Sequence, residues 1–204
     1  MDFHLILPWL KPANRSPAAG QQTLVSPRMI EIYKRDRDGY HYWRAWRYQR
    51  IVVLNWGRVG ERGRTHQIRL RKGQTAKAVI EEAARKPIAE GYCPVDSEDF
   101  STVVVQYRLD NWGSVADLDK RRKIEEVLNE CLASTCNGFC DGGDLGSGEM
   151  NLYCLVIDAG AVRNAIVSAL KKNRFLKGAV IAVREGETYR VVWPDDFTGV
   201  FSIV

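Results

Sequence analysis

The sequence predicts an α+β protein of two folded units behind an extended N-terminal arm. Each unit is an antiparallel sheet with helix packed on it. Three observations carry this expectation. Four strand-like runs and then a helical pattern fill residues 29–90. From residue 102 the order becomes strand, helix, strand, strand, helix, strand, with one strand more. Charge divides at the same place: residues 28–93 hold 16 Lys and Arg against 7 Asp and Glu, and residues 94–204 hold 12 against 17. The net charge of +5 hides that split. A basic unit beside an acidic one suggests different partners, and the basic one suits a polyanion.

Length and composition narrow the class. The 204 residues suffice for one large or two small domains. With 45% apolar and 27% charged residues the chain reads as globular, which excludes a wholly disordered protein. No apolar run approaches the roughly 18–20 residues of a membrane helix. The first twenty residues lack a basic n-region and are broken by Pro8 and Pro12, against a secretory signal. A cytoplasmic protein is expected, with no cofactor.

The elements follow in order. Residues 1–27, with Pro8, Pro12, Pro17 and Pro27, form the extended or flexible arm. Residues 28–95 form the basic unit. Strands are predicted at 29–34, at the aromatic run 40–48, at the apolar run 50–56 and at 65–71. The segment 57–63 reads as a turn. A helix starts at Gln74 or Thr75, with Ala76, Val79, Ile80, Ala83 and Ala84 at helical spacing, and Pro87 predicts a kink or restart. Residues 96–204 form the acidic unit. A strand at 102–109 leads to Ser114, which with Asp117 makes a capping box for a long helix. Its apolar stripe is Val115, Leu118, Ile124, Val127, Leu128, Cys131 and Leu132. A strand at Phe139 and Cys140, a Gly-rich reversal, a strand at 150–157, a helix after Asp158 and a hairpin of strands at 179–184 and 189–193 complete it. That order is the split βαβ, or ferredoxin-like, arrangement.

The chemistry concentrates in "NWGRVGERGRTHQ" (residues 55–67). An aromatic face stacks on a base whatever its identity, at about 1–3 kcal/mol per base. An adjacent Arg forks onto phosphate. Gly57 and Gly60 let backbone amides approach phosphate oxygens. Arg62, Arg64, Arg69 and Arg71 extend the positive track, with His66 beside the turn. On alternation Arg69 and Arg71 share a face that Arg64 does not, and Arg44 and Arg47 take opposite faces.

Trp56, Gly57, Arg58, Val59, Gly60 and Gly63, the aromatic strands before them, the basic strand after them and the closing "EGYC" resemble the WGR domain. The resemblance covers about residues 28–95. It implies a non-catalytic module that contacts DNA near a strand break, with Trp56 packing on a terminal nucleotide and Arg58 supporting DNA and neighbouring-domain contacts. The ADP-ribosyltransferase domain often joined to that module is not expected in residues 96–204. The leading expectation is thus a non-enzymatic DNA-binding protein that reads nicks or ends, its second unit recruiting a protein partner or self-associating. The alternative is a protein-interaction or regulatory module without nucleic acid.

A third reading is a carboxylate metal-dependent enzyme acting through Asp141, Asp144 and Glu149 in the Gly-rich stretch 137–153. Glycines in a long hairpin explain that stretch without a metal. The five Cys are expected as free thiols. The x4 and x3 spacings of Cys131, Cys136 and Cys140 do not match zinc pairs, and Cys131 and Cys140 fall on core-facing positions.

Overall fold

The computed structural model describes residues 29–110 and 112–203, so the expected arm 1–27 lies outside the described residues. The chain is mixed α+β, with two antiparallel sheets and three α-helices among the described residues.

The first sheet runs in chain order: β1 (Met29–Asp36), β2 (Gly39–Tyr48), β3 (Ile51–Arg58) and β4 (Arg64–Arg69). β3 corrects the expected end at Trp56. Gly57 and Arg58 pair with Tyr42 and His41 of the long aromatic β2, so the strand continues through Trp-Gly-Arg and the turn shrinks to 59–63. Cross-strand partners share a face. One face carries Ile30 and Ile32, Trp43 and Ala45, Val52 and Leu54, and Ile68, and α1 (Ala76–Ala89) packs on it through Ile80 and Ala84. The Thr75 side chain caps α1 by accepting from the Ala78 N–H at 3.2 Å. α1 runs through Pro87 without a restart. It closes in a Schellman motif, in which the Tyr92 N–H donates to the Pro87 carbonyl and the Gly91 N–H to that of Ile88.

The second sheet has the order β6-β7-β5-β8-β9, built from β5 (Ser101–Arg108), β6 (Phe139–Gly146), β7 (Glu149–Val156), β8 (Ala179–Glu185) and β9 (Thr188–Trp193). The helices α2 (Val115–Ser134) and α3 (Ala159–Lys172) cover one face. Ile124, Leu128 and Leu132 of α2 and Val162, Ile166 and Leu170 of α3 meet Val103, Val105, Met150, Leu152 and Ile181. Each such Leu or Ile contributes about 1.5–3 kcal/mol by leaving water. The Ser114–Asp117 capping box is formed. Val115 leaves the predicted stripe: as the first helical residue it points outward, 78% exposed. β6 is longer than expected. It runs through Gly142 and Gly143 across a bulge, so the reversal is only Ser147-Gly148. The other face is covered by the C-terminal segment. The Ser202 carbonyl accepts from Gln106 Nε2 at 2.9 Å, and the Phe201 ring lies 5.4 Å from Tyr189.

A third apolar cluster joins the units. Tyr33, Tyr42 and Val59 of the first meet Cys136 and Ile157 of the second. The last carbonyls of an α-helix have no partner within it. Here the first unit supplies two: Arg44 Nη1 donates to the Ala133 carbonyl at 2.9 Å, and the Gly60 N–H to that of Thr135 at 2.9 Å. α2 has no basic residue in its own last turn, so Arg44 also brings the charge its dipole favours. Among the described residues, no helix is long and apolar enough to cross a membrane.

Candidate nucleic-acid interface

α1 is shorter than the face it covers. At the end away from it, Trp56 emerges on the same face as Leu54, 37% exposed and paired across the strands with Trp43 on one side and Arg64 on the other. Trp43 is buried against α1 and backs the row. Arg58 follows two residues along and pairs with His41, while His66 follows Arg64 on β4. Trp56, Arg58, Arg64 and His66 therefore share one open face. Direct partners in such a sheet lie about 4.5–5.5 Å apart and diagonal ones about 7–8 Å. The Arg58 guanidinium is steadied by Nη2 donating to the Asp38 carbonyl. His41 Nε2 lies 3.1 Å from Asp36 Oδ2.

The turn is fastened from below by Asn55, buried at 3% exposure on the opposite face. Its Nδ2 donates toward the carbonyls of Arg62 at 3.2 Å and Arg64 at 2.9 Å, and its Oδ1 accepts from Arg44 Nε at 2.9 Å. A buried polar group in an apolar strand must find partners, so "VVLNW" carried the signal for this residue, which the sequence reading left without a role. The glycines serve closeness. A Cβ on Gly57 would strike the Cα of Gly63, and one on Gly63, at φ +65, would collide with the Trp56 carbonyl and the Tyr42 hydroxyl.

Two expectations are corrected. Gly60 offers no open amide: its N–H is bound to Thr135, and a Cβ there, at φ +92, would lie 2.8 Å from that of Ala161 on α3. Val59, expected in a solvent-facing turn, is 1% exposed within the seam between the units. Nor is the basic track continuous. Arg64 joins Trp56, whereas Arg69 lies on the other face of β4 and Arg71 beyond its end. Arg69 and Arg71, with His66, Ile68 and Gln74, line an open groove of about 760 Å³ along the free edge of the sheet. Arg62 is exposed at the tip of the turn.

The acidic unit holds a polar network where the metal reading placed carboxylates. Asp144 Oδ1 accepts from Asn151 at 2.9 Å and its Oδ2 from the Tyr153 hydroxyl at 2.6 Å, while Glu149 Oε2 accepts from Gln106 at 2.9 Å. Burial and then the Asp144 carboxylate push the Tyr153 phenol up. Asp141 takes no part in these bonds and is exposed. Among the described residues, no three or more His, Cys, Asp or Glu side chains are placed to hold a metal ion. The Cys trio is split as well, with Cys136 in the seam and Cys140 in the core of the second unit.

Comparison of the chain with protein-family models, curated proteins and solved structures finds no match.

Proposed function

We propose that the chain is a non-enzymatic DNA-binding protein, in which a WGR-like first domain engages DNA at a nick or end and a ferredoxin-like second domain recruits a partner. The observation that carries the reading is the exposed row of Trp56 with Arg58 and Arg64 on the helix face of the first sheet, which the second unit approaches only at the Arg58 end, through Asp158. An exposed indole flanked by two guanidiniums suits a terminal nucleotide, which has lost one stacking neighbour, with the phosphates on either side. The apolar seam with the second unit lies on the opposite face, so Trp56 itself is reached without parting the units. For the second domain, the strand order β6-β7-β5-β8 supports the ferredoxin-like assignment. Trp112 and Val115, each 78% exposed at the start of α2, favour a protein partner there.

The test is fluorescence anisotropy with blunt, nicked and uninterrupted circular duplexes at two salt concentrations. Binding is expected to fall with salt and to favour the nicked and ended forms. Arg58→Gln is expected to weaken binding and to reduce the salt slope by about 1. Equal affinity for all three duplexes, or an Arg58→Gln protein that binds as wild type does, would discard the reading.

A further inference from the structure

Cys140 on β6 and Cys154 on β7 are direct cross-strand partners. Both belong to the core beneath α2, at 6% and 0% exposure. Directly opposed residues of antiparallel strands have Cα atoms about 4.5–5.5 Å apart. A disulfide spans Cα separations of about 4.4–6.8 Å. The two thiols thus stand within bridging distance with their side chains on one face. The β-bulge between Cys140 and Gly143 breaks the ladder beside Cys140 and gives the strand local freedom. Gly142 within it has open space around its Cα.

We propose that Cys140 and Cys154 form a peroxide-responsive dithiol, oxidised reversibly to a disulfide that ties β6 to β7. Cys140 is the attacking thiol because it is the less buried of the two and lies at the bulge. The electrostatics agree: the interaction of the two thiols holds the Cys140 thiol below the usual range and pushes Cys154 up, while the Cys140 S–H donates to the Gly142 carbonyl at 3.6 Å. Arg121, Glu125 and Cys131 face the pair from α2. Arg121 favours the Cys140 thiolate, Glu125 opposes it, and Cys131 raises Cys154. Cys131 itself is pushed up to about 11 by burial, and burial likewise raises Cys136, so neither competes as a nucleophile near neutral pH.

The chemistry balances with hydrogen peroxide as the oxidant. The Cys140 thiolate attacks one peroxide oxygen and the O–O bond breaks. The departing hydroxide takes a proton and leaves as water, and Cys140 becomes a sulfenic acid. The Cys154 sulfur then attacks the sulfenic sulfur. The S–S bond forms, the S–O bond breaks, and hydroxide leaves with the Cys154 proton as a second water. Two thiols and one peroxide give one disulfide and two waters. A dithiol reductant reverses the reaction by exchange.

The test uses the full chain carrying Cys93→Ser, because Cys93 is exposed and would couple between molecules. The protein is titrated with hydrogen peroxide, alkylated and mapped as peptides without reduction. The expected product is a Cys140–Cys154 peptide pair lighter by two hydrogens, formed before Cys131 or Cys136 reacts and lost on adding dithiothreitol. In Cys154→Ser, Cys140 is expected to stop at the sulfenic acid and to be captured by dimedone. Cys140 and Cys154 both staying reduced while the methionines oxidise would overturn the proposal, as would a predominant bridge to Cys131 or Cys136. Should Cys154→Ser not fold, the peptide map of the Cys93→Ser chain decides alone.

Discussion

The two sheets solve the same problem differently. Each must hide two faces. The second sheet has α2 and α3 on one face and the C-terminal segment on the other, so Val104 and Ala182 in its middle are fully buried. Among the described residues, the first sheet has only α1, of 14 residues, on one face, and gives its other face to the neighbouring unit. Among the described residues, the end of the helix face is the less covered part, and there Trp56 stands with Arg58, Arg64 and His66. The better covered sheet thus buries its middle strands on both faces, and the other leaves a partly exposed aromatic beside basic side chains at its uncovered end.

The contrast can be broken in stages. The largest effect is expected in the fully covered unit. Leu128→Ala opens a cavity beneath α2 and should cost about 2–5 kcal/mol in urea unfolding. The seam comes next. Gly60→Val adds a side chain at φ +92 against Ala161 and should cost about 1–3 kcal/mol. Ala161→Gly is expected to recover part of that loss, because it relieves the contact and not the backbone strain. An unaltered midpoint in Gly60→Val would mean that the turn is not seated on α3. At the uncovered end the expectation inverts. Trp56→Ala should lose about 1–3 kcal/mol of affinity for a nicked duplex. Its unfolding free energy should fall by about 1–2 kcal/mol, less than in Leu128→Ala, since the indole is 37% exposed. A large fall in stability with intact binding would make Trp56 a core residue instead.

The smallest effect concerns pH. The folded-state pKa of Cys131 is raised by burial to about 11, and that of Tyr42 by burial to about 12. A raised pKa means that the folded state holds its proton more tightly than the unfolded state. Stability from these groups is therefore complete below their ordinary ranges, and falls across about pH 9–11 for Cys131 and 10–12 for Tyr42. Melting temperature should decline through that window, and less steeply in Cys131→Ala.

Much of this was legible in the sequence because period-2 alternation survives in short strands. The strand-rich first unit, the capping box at Ser114 and the apolar faces of α2 and α3 all follow from local spacing. The errors share a cause. Gly57 and Gly60 read as turn residues, yet Gly57 lies in β3 because β2 is long enough to pair with it. Val59 between glycines gave no hint of burial, because the surface that buries it is contributed by Cys136 and Ile157, far along the chain. The sidedness of Arg64 against Arg69 was visible in the alternation, but the chain did not say which face α1 would take. The C-terminal cover was invisible, since residues 198–203 carry no periodicity and are placed by Gln106 and Tyr189.

Arg44 and Gly60 reach from the first unit to the last carbonyls of α2, and that has a practical side for anyone dissecting the protein. Cutting the chain near residue 95 would strip Tyr33, Tyr42 and Val59 of Cys136 and Ile157, and would take the Gly60 donor from the Thr135 carbonyl and the Arg44 donor from that of Ala133. Each excised half would carry a sticky scar where the seam had been. Pull-downs with such fragments would report the scar as readily as a genuine ligand, so point substitutions in the intact chain are the sounder reagents.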